Sequence, residues 1–181
     1  MILVLSATNR PASRTRLIAD VVFNYLKAVY PGDVHFYSLE DLPSDLLSRT
    51  MFEKNYLHPE LVKIQDEMMI PSKNWMIISP EYNGSFPGAF KLFIDAVSNR
   101  KYKETFNGRK AGLIGVASGR AGNLRGMDHM TGFLNYLSVT VYPDKLPVSS
   151  IEQQINEGVV NENTQSLIHS FVDKYLEWQK S

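Results

Sequence analysis

The chain contains no cysteine among its 181 residues. Disulfides, thiolate catalysis, iron–sulfur clusters and cysteine-based zinc sites are therefore excluded. Net charge is missing too, because 19 Lys and Arg balance 19 Asp and Glu. That balance removes the electrostatic case for nucleic acid or an anionic membrane as partner. It also speaks against the acidic face through which an electron carrier docks. Long apolar runs are absent. Met1-Ile2-Leu3-Val4-Leu5 stops after five residues and has neither a preceding basic region nor a small-residue cleavage site. Nothing approaches the roughly 20 apolar residues of a membrane span. A cytoplasmic protein is the expectation. His35, His58, His129 and His169 lack a second histidine or carboxylate at metal-ligand spacing, so no metal site is expected.

What is present is ordinary globular composition, 44% apolar and 21% charged, at a length suited to a single domain over 1–181. Residues 1–6 read as a buried strand. A helix is expected from Ser13, with Leu17, Val21, Val22, Tyr25 and Val29 at helical spacing. Pro31-Gly32-Asp33 stops it, and Val34 to Tyr37 is a short strand. Residues 39–57, with Leu42-Pro43, Leu46-Leu47 and Met51-Phe52, read as an irregular excursion covering part of a pocket. A helix over 59–69 precedes a strand over 74–79. A further helix over 87–98 carries Phe90, Phe93, Ile94 and Val97 as its stripe. Ala111 to Ala117 is a continuous apolar run, as suits a strand covered on both faces. The next helix presents Met127, Met130, Thr131, Leu134 and Leu137. Val139 to Tyr142 is a strand ended by Pro143, and a last helix spans 163–179 with Ile168, Phe171, Val172, Tyr175 and Leu176 inward. Five strands alternating with helices imply an α/β fold with a parallel sheet between helical layers. The natural candidate is a flavodoxin-like three-layer sandwich, strand order 2-1-3-4-5, with its ligand site where the first and third strands meet.

Three loops follow strands that this order makes neighbours. Ser79-Pro80-Glu81-Tyr82-Asn83-Gly84-Ser85-Phe86-Pro87-Gly88 is richer in Pro, Asn, Gly and Ser than a plain connection requires. Asn83-Gly84 is a strong turn signal, and Pro87 and Ser85 suit the start of a helix. These roles leave Glu81 and Tyr82 unaccounted for. Ser6 to Thr15 brings hydroxyls at 8, 13 and 15 and the Arg10 guanidinium to a helix N-terminus. Free N–H groups and a partial positive charge make such a terminus a phosphate receiver. Ser13 reads equally as a plain N-cap. Neither G-x-x-x-x-G-K-[ST] nor G-x-G-x-x-G occurs there. Ser118-Gly119-Arg120-Ala121-Gly122 is the third, with two glycines that let a flat ligand approach the backbone. Glu152, Glu157 and Glu162 form no pair of defined geometry, and Arg14-Arg16 read as a solvated face.

Together these loops resemble the NAD(P)H-dependent FMN reductases, a flavodoxin-like family with related quinone and azo-dye reductases. Ala7 to Thr15 matches its first loop with Ala for Gly and Thr for Ser. Pro80 to Gly88 matches P-E-Y-N-G-S-x-P-G in full, and Ala117 to Gly122 matches the third stretch loosely. The resemblance covers about residues 1–145. It implies that Thr8, Arg10, Ser13 and Thr15 hold the FMN phosphate. Pro80, Glu81, Tyr82, Asn83, Gly84 and Ser85 would line the flavin, and Ser118, Gly119 and Arg120 would meet its pyrimidine end. The implied activity is an FMN-dependent NAD(P)H oxidoreductase working by ping-pong. Its acceptor would be a small molecule such as a quinone, free flavin or azo compound, and no protein group would act as acid, base or nucleophile. A homodimer or homotetramer is implied as well. The alternative is a flavodoxin-like FMN electron carrier or redox sensor without NAD(P)H turnover.

Overall fold

A computed structural model describes residues 1–46, 49–53 and 56–180. Five parallel strands form the sheet: β1 (Ile2–Ser6), β2 (Val34–Ser38), β3 (Asn74–Pro80), β4 (Arg109–Val116) and β5 (Val139–Val148). Their order is β2-β1-β3-β4-β5, as expected. The principal helices are α1 (Arg14–Val29), α2 (Pro59–Ile64), α3 (Gly88–Ser98), α4 (Tyr102–Phe106), α5 (Leu124–Tyr136), α6 (Ile151–Gln154) and α7 (Glu162–Trp178). Side chains alternate across each strand, so the sheet divides the core into two layers. Leu3, Leu5, Trp75, Ile77, Ala111 and Leu113 pack against α3, α5 and the segment after β2. Ile2, Val4, Met76, Ile78 and Ile114 pack against α1 and α7 on the other face.

Most of the periodicity holds. Phe90, Phe93, Ile94 and Val97 are all buried on α3. Ile168, Phe171, Val172 and Tyr175 are buried on α7, while Leu176 is only partly covered. On α1 the buried face is Thr15, Ile18, Ala19, Val22 and Leu26. Of the expected stripe only Val22 is fully buried; Leu17, Val21 and Tyr25 pack at its margin, and Val29 is exposed. Alanine and threonine contribute to this face, which a search for large apolar residues passes over.

Pro143 does not end β5, which continues to Val148. Its register against β4 slips at this point, Ala111 facing Val141 but Leu113 facing Lys145. A proline without an N–H is tolerated because β5 is an edge strand and the slip forms a bulge. The expected helix over 59–69 is α2 continued by a π-type turn over Gln65–Met69. The short α4, α6 and the two-residue hairpin of β6 (Ile155–Asn156) and β7 (Val159–Val160) carry little periodic signal and were not expected. Within the excursion over 39–57, Leu39, Leu46, Met51 and Leu57 are buried against the core. Leu42, Pro43 and Leu46 border a small hollow with Asn9, Ala89 and Leu92. Leu47 lies outside the described residues.

β4 must accept a close neighbour. A Cβ built on Gly115 would stand 2.2 Å from the backbone oxygen of Gly122. A backbone group cannot rotate away as a side chain can, so the loop after β4 must shift. Gly115→Ala is expected to lower the stability of the protein by about 1–3 kcal/mol in denaturant titration, with a parallel loss of ligand affinity at that loop.

Candidate functional site

Strands β1, β3 and β4 end side by side at Ser6, Pro80 and Val116. A cavity of about 300 Å³ opens there, lined by residues 10–15, Pro80, Glu81, Tyr82, Val116, Ala117, Ser118 and Ile151. A larger, more apolar hollow lies at the opposite end, between the C-terminal turns of α1 and α7. The carboxyl-end cavity is the candidate site, because ligands of open parallel sheets bind beyond the carboxyl ends of strands and charged and N–H donors converge on it.

The first wall is the β1–α1 loop. Ser13 caps α1, its Oγ accepting from Arg16 N at 3.1 Å. The N–H groups of Arg14 and Thr15 have no intrahelical acceptor and face the cavity side of the helix start. Ala12 adopts a left-handed conformation with φ of 51°, unusual for a residue with a Cβ, and turns the loop into the helix. Arg16 is engaged elsewhere, bonding Asp20 and Glu40. Arg10 is exposed at the rim and, among the described residues, forms neither an ion pair nor a side-chain hydrogen bond. An unpaired guanidinium beside an open helix N-terminus attracts an anion, phosphate above all.

The second wall is the β3–α3 loop, and its shape follows from two residues. Tyr82 N donates to Ser85 O at 2.8 Å, and Ser85 N donates back to Tyr82 O at 3.1 Å. Between them Asn83 and Gly84 have φ of 52° and 77°. Positive φ at both central positions defines a type I′ turn, for which Asn-Gly is the preferred pair. The Tyr82 hydroxyl meets Thr8 Oγ1 at 2.9 Å, which fixes the ring across the gap between the first two loops. Ser85 does not cap α3. Its Oγ meets His129 Nδ1 at 2.9 Å, and Pro87 occupies the cap position without a side-chain bond.

The third wall is the β4–α5 loop, and it is bound to the second by Asn123. This residue is fully buried in a left-handed conformation, φ 66°. Its Nδ2 donates to Ser79 O at 3.0 Å and Pro80 O at 2.9 Å. Gly126, one turn into α5, leaves the space this amide needs, since a Cβ there would fall 2.1 Å from Asn123 Oδ1. On the outer rim Ser118 Oγ donates to Glu152 at 2.7 Å, and Arg14 Nη1 reaches the same carboxylate at 2.5 Å.

Of the residues singled out in the sequence, Arg10, Ser13, Thr15, Pro80, Glu81, Tyr82 and Ser118 line one cavity. Thr8 is buried behind the wall with its hydroxyl engaged by Tyr82. Asn83, Gly84 and Ser85 form the hairpin beyond the cavity, and Gly119 and Arg120 are exposed on its outer side. Sequence reasoning missed Asn123, Arg14, Ile151 and Glu152. The Arg14–Glu152 pair spans 138 positions, which no local pattern signals. Asn123, directly after Gly122, was detectable as a helix N-cap residue type but not as a tether.

Such a cavity, an anion-receiving helix start beside a hairpin and a small-residue loop on a 2-1-3-4-5 sheet, belongs to a flavodoxin-like flavoprotein. The chain matches the model of the NADPH-dependent FMN reductases over residues 1–153, and it belongs to that family, with FMN as cofactor and NAD(P)H as hydride donor. It is 27% identical over 123 residues to a 2-hydroxy-1,4-benzoquinone reductase of Burkholderia, covering 66% of this chain and 67% of the relative. It is 24% identical to an NADPH azoreductase of Bacillus sp. strain OY1-2, covering 94% and 88%. Among solved structures it resembles a flavoenzyme NAD(P)H:(acceptor) oxidoreductase from Paracoccus denitrificans. That match has a TM-score of 0.72 at 23% identity and covers 98% of this chain and 95% of the other.

The Asn123 tether yields a test. Asn123→Gly keeps the left-handed backbone accessible but removes the amide, and with it one buried hydrogen bond to each of the two carbonyls. The expected cost is about 1–3 kcal/mol in denaturant titration, with weaker FMN binding by fluorescence quenching. Asn123→Asp, which offers no donor when ionised, should behave no better.

Proposed function

We propose that this cavity holds the FMN and that the enzyme reduces small quinone-like acceptors by ping-pong. The observation that carries the reading is Arg10, unpaired among the described residues, beside the open N-terminus of α1 in a cavity it shares with Pro80, Glu81 and Tyr82. Arg10, Ser13 Oγ, Thr15 and the first N–H groups of α1 would hold the phosphate. Thr8 supports this part indirectly, by fixing Tyr82 and accepting Arg10 N at 3.2 Å. Pro80, Glu81, Tyr82, Asn83, Gly84 and Ser85 would line the flavin, and Ser118, Gly119 and Arg120 its pyrimidine end. The fit is chemical as well as spatial: three hydroxyls and one free cation at the helix start, and backbone-rich walls elsewhere.

A cavity of about 300 Å³ is at the small end for ligand sites. A molecule the size of FMN would therefore leave one face in the open. Bound FMN supplies the chemistry, accepting a hydride from NAD(P)H and passing it to the acceptor. The chain binds, orients and restricts water. The names of the relatives, a benzoquinone reductase and an azoreductase, support flat conjugated acceptors. A cytoplasmic homodimer or homotetramer completes the proposal. The apolar face of α3 is spent on its own core, so exposed Leu124 and Tyr136 on α5 are the better support for self-association.

Visible absorption before and after anaerobic NADPH tests cofactor and activity together. Flavin bands that bleach with NADPH and return with a benzoquinone are expected. Protein that takes up no FMN overturns the site, and bound flavin that NADPH leaves unbleached favours a carrier. Arg10→Ala should weaken FMN binding about 10-fold, the lower end for a charge-assisted hydrogen bond at an exposed residue. Hydride transfer in the reconstituted variant should change far less. Unaltered FMN affinity would remove Arg10 from the phosphate site.

A further inference from the structure

Glu152 closes a bridge that the flavin reading does not use. It sits on α6, immediately after β5, and its Oε1 receives both Ser118 Oγ at 2.7 Å and Arg14 Nη1 at 2.5 Å. Arg14 belongs to the first turn of α1 and Ser118 to the β4–α5 loop, and both line the cavity. The carboxylate thus joins two walls of the site from outside. Its own segment is anchored to the third wall. Ile151 N donates to Ala117 O at 3.1 Å, Ser150 N to Gly119 O at 3.4 Å, and Ser149 Oγ to Arg120 O at 2.7 Å. The link to Arg14 crosses to the start of α1.

The pair is about half exposed, 52% and 46% for the two side chains. Ion pairs of that exposure contribute little to global stability, so the consequence of this one is local. The Ser118 hydroxyl, a backbone hydrogen bond and the Arg14 charge hold the Glu152 carboxyl below the usual carboxylate range, so it stays ionised in neutral solution. It also cancels the charge of Arg14, leaving Arg10 as the uncompensated cation lining the cavity.

We propose that Glu152 is a positioning residue for the cofactor, holding the start of α1 against the β4–α5 loop across the cavity mouth and thereby slowing the escape of FMN. The proposal rests on the reading of the cavity as the FMN site. A ping-pong cycle needs this device more than a single-step reaction does. The flavin must stay in place while one partner leaves the open face and another arrives.

Removing the carboxylate separates two opposite effects. Freed Arg14 would draw the phosphate more strongly and slow release, whereas loss of the bridge would speed it. The holoenzyme is diluted and the appearance of free-FMN fluorescence followed, in low salt and in about 0.5 M salt, where exposed pairs are screened. Glu152→Gln is expected to release FMN roughly 10-fold faster in low salt. Ser118→Ala, which leaves every charge in place, should fall between it and the parent protein. The exchange Arg14→Glu with Glu152→Arg should return release to within about threefold of the parent in low salt and lose that gain in high salt. All three variants alter exposed side chains, and unchanged thermal melting confirms the fold. FMN uptake with equal or slower release from Glu152→Gln overturns the proposal alone. Failure of the parent protein to take up FMN overturns the cavity assignment and the proposal together.

Discussion

The site depends on one buried amide. Asn123 donates from a single nitrogen to the carbonyls of Ser79 and Pro80, where β3 gives way to its loop. Both residues close the β3–β4 ladder, in register with Gly115 and Val116, and in a buried setting each carbonyl gains from a further donor. The tie adds a side-chain donor to each and links the second wall to the third. It works only because the chain is bare around it. Gly115 admits the loop after β4, and Gly126 leaves room for the Asn123 side chain. The Asn83-Gly84 hairpin begins two residues past the tethered Pro80, so its direction is inherited from that anchor. The walls of the cavity are thus joined by a few side-chain ties, Asn123 to the second loop and Tyr82 to Thr8, each closing on a backbone that has room for it.

The fold was legible because its evidence is local and repeated. Apolar runs at 74–79 and 111–117, the stripe of α3 and that of α7 each stand within one element. Alternation implied the parallel sheet, and the flavodoxin-like order was the natural candidate for five strands. The failures were of two kinds. On α1 the buried face uses Thr15 and Ala19, so the large apolar residues indicated a stripe rotated from the true one. At Pro143 a rule valid for central strands was applied to an edge, where a bulge absorbs the missing donor. The site was legible where loops carry their own shape, as in Pro80 to Ser85. It was illegible where function depends on pairing across the chain. Glu152 had no partner in sequence, and it has two in space.

The charges around the cavity are sorted rather than summed. A net charge of zero conceals three arginines within seven residues of the first loop and helix. Arg16 is held by Asp20 and Glu40, and Arg14 by Glu152. Arg10 alone faces the cavity mouth uncommitted. Carboxylates drawn from β2's end and from α6 thus decide which cation is available to an anion. Composition carries no trace of that division.

The bulged end of the sheet bears on how copies of this protein can meet. β5 carries Pro143 and Pro147 and slips register beside the first of them. An outer strand with missing donors and a broken pleat is a poor template for another strand. This edge of the sheet is therefore guarded against the runaway edge-to-edge growth that ends in fibres.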